Sequence, residues 1–303
     1  MRELQKPPSL KPGARIGIAA ISGPVDPQRL ERGIAHLRAK GYEVLEASNV
    51  RKRHGFLAGT DEDRAAGYRA LLCDPTVAAI FFARGGYGAA RVLDRLDTEE
   101  LRSHPKIHLG GSDLTAFFRF LQRGASLVTF YGPMVAVEMG SAEELDWESV
   151  LSGKTPAPHT FAPEDVLAPG RARGVLLGGC LSLLASLAGT PEALSARGAI
   201  LFWEDTGEEI YRIDRLLTQL ERSGTFDGVQ GLVIGSVVPH TQKGSREQIR
   251  EYLSDRFRGS PFPVAMGLPA GHLPRPRTLP LGAPLLLDLE TTLELTFLAP
   301  AVA

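Results

Sequence analysis

In the first 120 residues, short apolar runs alternate with helical stripes, and glycine sits at the junctions. Arg15–Ala20 reads as a buried strand and is followed by a turn at Ser22–Gly23–Pro24. Asp26–Lys40 then carries Leu30, Ile34 and Leu37 at helical spacing and stops at Gly41. Tyr42–Leu45 is a second strand, and Thr60 or Asp61 caps a helix running through Leu72. Val77–Phe82 is a third strand, ending in Arg84–Gly85–Gly86–Tyr87–Gly88. Ile107–Leu109 is a fourth, before a helix over Asp113–Leu121 that turns Leu114, Phe117, Phe118 and Leu121 inward. Strands buried on both faces and separated by helices require a parallel sheet with helices packed on it.

The rhythm weakens between residues 138 and 172, where Pro156, Pro158, Pro163 and Pro169 fall close together; this stretch reads as a linker. Beyond it, Val175–Leu177, Ala199–Trp203, Leu232–Val237 and Pro263–Met266 are strand candidates. Glu208–Arg222 is an amphipathic helix, and Leu285–Phe297 alternates as a β-hairpin does. A chain of 303 residues has room for two domains. The expected fold is therefore α/β: an N-terminal parallel sheet flanked by helices over residues 11–137, a linker over 138–172, and a C-terminal mixed α/β domain with a β-rich end over 173–303.

Charge narrows the function. Lys plus Arg is 34 and Asp plus Glu 35, a net charge of -1, which argues against a nucleic-acid or membrane-surface partner. Cys73 and Cys180 are the only cysteines, too few for a disulfide scaffold or a four-cysteine zinc site. His104 and His108 are four apart with Pro105 between them, so no metal constellation is expected. The opening residues lack the apolar core of a signal peptide. The longest uncharged run, Gly174 to Pro191, has four glycines and a proline, unsuited to a spanning helix. The expected location is the cytoplasm.

Four places have the residue types for chemistry. Ser112, in Gly110–Gly111–Ser112–Asp113–Leu114, falls between a strand and a helix, where ligands bind in open α/β sheets. The alternative is that it only caps its helix. The motif is not a G-x-S-x-G elbow, since Leu114 replaces the second glycine. The loop Arg84–Gly88 has three glycines whose N–H groups suit an anion, but it lacks the nucleotide-binding spacings and also reads as a plain tight turn. Glu204 ends an apolar strand, where a carboxylate can orient a histidine or simply be solvated. His272 sits in a loop framed by glycine and proline, and histidine is the side chain whose ordinary pKa lies near neutrality, as a general base requires. Together these supply a nucleophile, an acid, a base and an anion site, the requirements of acyl transfer by an activated serine.

These residues lie in stretches that resemble the LD-carboxypeptidases, serine peptidases of the muramoyltetrapeptide carboxypeptidase type that include microcin C immunity proteins. The stretches are ARGGYGAARVL (83–93), GGSDLTAF (110–117), YGPM (131–134), GVLLGGCLSLLASLAGTP (174–191), ILFWEDTGEEIYRIDRLLTQL (200–220) and GLPAGHLPRPRTLPLG (267–282). They follow the family's order from about Lys11 to Asp288.

The resemblance implies a triad of Ser112, Glu204 and His272, with an oxyanion hole at the N–H groups of Asp113 and Gly86. It implies removal of a terminal D-alanine from a murein tetrapeptide in cell-wall recycling, with no metal or organic cofactor, and a homodimer. Arg84, with Gly85 beside it, is the candidate to bind the substrate carboxylate; a structural brace for the loop is the alternative. A microcin-immunity-like action on aminoacyl-nucleotide conjugates is a second reading, in which Trp203 and Tyr87 stack a base. A non-catalytic ligand-binding protein is a third. The sequence departs from the family at Gly111, where an aromatic is usual, at Cys180, where asparagine is, and at Pro276, where the histidine loop commonly has asparagine.

Overall fold

The computed structural model describes residues 4–140, 145–238 and 246–303. The chain divides into two compact units. The first holds the described residues up to Lys154 with Pro274–Pro280 and Ala301–Ala303; the second holds Thr155–Leu273 and Leu281–Pro300. In chain order the strands are β1 (Arg15–Ala19), β2 (Glu43–Glu46), β3 (Val77–Phe82), β4 (Ile107–Gly110), β5 (Thr129–Tyr131), β6 (His159–Thr160), β7 (Val166–Ala168), β8 (Arg171–Cys180), β9 (Ala199–Thr206), β10 (Gly231–Val238), β11 (Val264–Ala265), β12 (Leu279–Leu281), β13 (Pro284–Asp288) and β14 (Glu294–Phe297). The helices are α1 (Pro27–Ala39), α2 (Asp61–Cys73), α3 (Thr98–Ser103), α4 (Leu114–Gly124), α5 (Trp147–Leu151), α6 (Leu181–Ser186), α7 (Ile210–Arg222) and α8 (Arg246–Arg256).

The first unit is built on a six-stranded sheet of order β12-β5-β4-β3-β1-β2. Strands β1 to β5 pair in parallel throughout. Asp26 caps α1 by accepting the Arg29 N–H at 2.8 Å, and the helix buries the predicted Leu30, Ile34 and Leu37. Thr60 and Asp63 form a reciprocal capping box at the start of α2. Helix α4 buries Leu114, Phe117, Phe118 and Leu121, and Phe117 meets Phe82 and Tyr68 edge-on. Burying each such side chain stabilises the fold by about 1.5–3 kcal/mol. Inside this cluster His108 is fully buried, with Nε2 on the Tyr68 hydroxyl at 2.8 Å and Nδ1 on the Lys106 carbonyl at 2.9 Å.

The second unit carries an eight-stranded mixed sheet of order β6-β14-β13-β8-β9-β10-β11-β7. Its centre, β8 to β11, is parallel. The outer strands run antiparallel, including the predicted hairpin of β13 and β14, in which Leu285 faces Phe297. Leu201, Trp203, Ile213, Leu217 and Ile234 form part of a core packed with no exposure.

The proline-rich stretch expected as a linker contains α5 and two edge strands, β6 on β14 and β7 on β11. Pro156, Pro158, Pro163 and Pro169 all fall outside those short strands, where their missing N–H breaks no ladder. Helix α7 begins at Ile210, two residues later than the expected Glu208, because Glu209 has extended backbone. Among the described residues, no helix is long and apolar enough to cross a membrane.

Candidate active site

Ser112 lies between β4 and α4 in the left-handed region, with φ of 60°. A left-handed serine costs about 1–2 kcal/mol unless its surroundings hold it. Its N–H donates to the Tyr131 phenolic oxygen at 2.8 Å, and its carbonyl accepts from the Thr115 N–H at 2.9 Å and Oγ1 at 2.7 Å. The helix cap is Asp113, not Ser112, so the simple capping reading of the serine does not describe this turn. Nor does the Asp113 side chain cap. Its Oδ2 accepts from Ser22 Oγ at 2.6 Å and from the Ala89 N–H at 2.8 Å, tying the nucleophile turn to the β1–α1 loop and to the end of the glycine loop. Burial pushes the Asp113 carboxyl upward, and these two bonds oppose the shift.

The glycine loop lies against this turn. A Cβ on Gly85 would stand 2.8 Å from the Ser112 Cβ, so the close approach requires glycine. Gly86 has φ of 107°, a conformation side chains resist. The Gly85 carbonyl accepts from the Gly23 N–H at 3.1 Å and from Arg84 Nε at 3.2 Å, while Arg84 Nη1 donates to the Pro24 carbonyl at 3.2 Å. Arg64, fully buried on α2, donates to the Ile21 carbonyl and, at 2.7 Å, to the Gly88 carbonyl, and pairs with Asp61. Among the described residues, the N–H groups of Asp113 and Gly86 donate to no protein acceptor. Tyr87 is exposed and packs against exposed Phe56 with ring centroids 5.7 Å apart. Trp203 is completely buried, which removes it as a stacking platform for a base.

In the second unit, Glu204 is wholly buried at the carboxyl end of β9. One of its oxygens, Oε2, bonds His272 Nδ1 at 2.8 Å and accepts the His272 main-chain N–H at 3.1 Å. With Nδ1–H given to the carboxylate, Nε2 carries the lone pair, the tautomer a general base needs. Gly271 makes this possible: its φ is 103°, and a Cβ there would overlap Glu204 Oε2. The loop is laid on β10, where the Ser236 N–H donates to the Ala270 carbonyl at 2.9 Å. Cys180 faces Glu204 across the β8–β9 pair, and burial pushes its thiol well above the usual range. The neighbouring Asp205 is also buried and accepts from the Ser182 N–H at 2.7 Å.

The structure thus gathers Ser112, Asp113, Arg84, Gly85 and Gly86 in the first unit, and Glu204 with His272 in the second. The sequence reading missed Tyr131, Ser22 and Arg64. Tyr131 carried a signal, since it opens the YGPM stretch; Ser22 and Arg64 carried none. Among the described residues, no group of three or more His, Cys, Asp or Glu could hold a metal ion.

A parallel α/β sheet with a left-handed serine at a strand end, and a mixed sheet bearing a buried Glu–His pair, give a two-unit α/β protein that carries the residue types of a serine peptidase. Residues 16–132 match the N-terminal domain of LD-carboxypeptidases and residues 173–287 match the C-terminal domain. The chain belongs to the LD-carboxypeptidase family. It is 45% identical to a putative carboxypeptidase of Streptomyces coelicolor, with 96% of each chain covered. The crystal structure of muramoyltetrapeptide carboxypeptidase from Oxalobacter formigenes is 30% identical, with a TM-score of 0.81 over 94% of this chain and 98% of that one. A structure of MccF in complex with glutamyl sulfamoyl guanosine is 25% identical, with a TM-score of 0.89 over 98% of this chain and 99% of that one.

Proposed function

We propose that the protein is a serine carboxypeptidase that cleaves the amide between an L-configured centre and a terminal D-alanine of a murein tetrapeptide, in cytoplasmic cell-wall recycling. The observation that carries this reading is the buried Glu204 holding His272 by both ring and main chain. Ser112 belongs to the first unit and the Glu204–His272 pair to the second.

His272 Nε2 takes the Ser112 proton as Oγ attacks the scissile carbonyl. Glu204 fixes the tautomer and stabilises the imidazolium that forms. The N–H groups of Asp113 and Gly86 stabilise the oxyanion, and loss of one such donor costs about 3 kcal/mol. The imidazolium then protonates the leaving amine, D-alanine departs, and water repeats the cycle on the acyl-enzyme. Arg84 keeps its Nη2 donors for the terminal carboxylate, with the Gly85 main chain beside it.

Ser112→Ala should abolish D-alanine release from tetrapeptide, read by mass spectrometry, while circular dichroism stays native. Retained activity, or inhibition of the native enzyme by a chelator alone, overturns the reading. The likeness to MccF supports a second reading, in which an aminoacyl-nucleotide conjugate is the substrate. A panel of tetrapeptide against acyl-sulfamoyl adenosine separates the two. A homodimer completes the proposal, and light scattering of the purified protein tests it.

A further inference from the structure

We infer that Tyr131 is a positioning residue for the nucleophile, an assignment that rests on Ser112 being the attacking serine. Tyr131 closes β5 beside β4, in register with Gly110, and is only 2% exposed. Its ring runs past Gly111: a Cβ there would lie 3.4 Å from Tyr131 Cζ and 3.4 Å from the Gly132 carbonyl oxygen. A glycine at 111, in place of the family's usual aromatic, leaves the phenol as the large group beside the turn. The phenolic oxygen then accepts the Ser112 N–H at 2.8 Å.

The two peptide planes around Ser112 are held differently. The one that follows it is tied by its carbonyl to Thr115, which belongs to the first turn of α4. The one that precedes it is tied at its carbonyl end by the Leu114 N–H, which donates to the Gly111 oxygen at 3.2 Å, and at its N–H end by the Tyr131 oxygen, nineteen residues away, so it alone depends on a side chain from outside the turn and its helix. A serine at φ of 60° relaxes unless both planes are fixed, and the direction of its Oγ changes with the backbone. The bond has a second consequence. It occupies the Ser112 N–H, so the oxyanion is served not by the serine's own amide but by the Asp113 N–H, which donates to no protein acceptor among the described residues. Tyr131 acts through Ser112.

The test is Tyr131→Phe, which keeps the ring and removes the acceptor. A misdirected nucleophile lowers kcat by about 10- to 100-fold and leaves KM near its native value. Placed in a Ser112→Ala background, the same change leaves the dissociation constant for tetrapeptide unaltered, because binding does not depend on the serine turn. A second measurement covers failure of the phenylalanine variant to fold. 3-Fluorotyrosine introduced at position 131, assayed below its ionisation, weakens the acceptor without altering the packing, and kcat falls with it. A kcat equal to the native value in either protein overturns the inference, as does a rise in KM alone. If Ser112→Ala still releases D-alanine, the triad reading fails first; if Ser112→Ala is inactive and Tyr131→Phe is fully active, only this inference fails.

Discussion

Glu204 Oε2 holds His272 twice, accepting the main-chain N–H at 3.1 Å and bonding ring Nδ1 at 2.8 Å. One buried oxygen therefore sets both the course of the loop and the orientation of the imidazole. Glu204→Gln retains an oxygen that can accept the main-chain N–H but loses the charge and the tautomer control. Its kcat is expected to fall about 10³- to 10⁴-fold with a small change in melting temperature. Steady-state D-alanine release is the measurement, and activity within tenfold of native would rule out the orienting role.

Gly271→Ala strikes the same pair from the other side. The added Cβ overlaps the carboxylate, in a backbone conformation that L side chains rarely adopt. Activity and stability are expected to fall together, stability by about 1–3 kcal/mol or more. Urea unfolding alongside the activity assay checks this; unaltered activity would mean that the loop tolerates displacement from Glu204.

Gly85→Ala tests the close approach of the glycine loop to the nucleophile turn. Its φ lies outside the left-handed region, yet the new methyl lies 2.8 Å from the Ser112 Cβ, so the turn must shift. A large loss of kcat is expected, together with a loss of stability of about 1–3 kcal/mol. Full activity with a lowered melting temperature would show that the contact is only structural.

Ser22→Ala removes the 2.6 Å hydrogen bond to the buried Asp113 carboxylate. A hydrogen bond to a charged group typically contributes about 1.5–3 kcal/mol, and the oxygen left behind loses one of its two donors. Chemical denaturation should register a loss of that size, whereas an unchanged midpoint would show that the bond is replaced.

His108 should give the fold a pH dependence whose sign follows from its burial. Burial pushes its pKa down to about 3 from an ordinary 6.5. Above 6.5 the imidazole is neutral in both states and its contribution is fully present. As pH falls from 6.5 toward 3 the unfolded chain takes up a proton that the native protein refuses, so stability drops by up to about 1.4 kcal/mol per pH unit. His108→Gln should be less stable near pH 7 and should lose less stability than the native protein on going to pH 5. Equal losses in the two proteins, read from urea midpoints, would remove His108 from the pH response.

Local pattern carried much of the fold. The stripe of Leu30, Ile34 and Leu37, the strand Val77–Phe82 and the hairpin ending at Phe297 were all legible because periodicity needs only near neighbours. The short pieces were not legible. Strand β5, helix α6 and strand β12 have too few residues to show a period, and each exists through its partners. The proline-rich run concealed β6 and β7 because edge strands of two or three residues leave no alternation to read. Trp203 looked available to a ligand because a strand-end aromatic has no sequence mark that separates burial from exposure.

By itself, then, the sequence determined the α/β alternation, the glycines that allow tight turns, and the residue types at positions 112, 204 and 272, since composition and spacing along the chain are local properties. Only the tertiary structure decided which of them meet. Glu204 and His272 are 68 residues apart in sequence and 2.8 Å apart in space; Ser22 and Asp113 are 91 apart and joined at 2.6 Å. The Tyr131 oxygen on the Ser112 N–H is likewise a product of strand register. The order of parallel strands is set by packing across the whole sheet, and no stretch of sequence contains it.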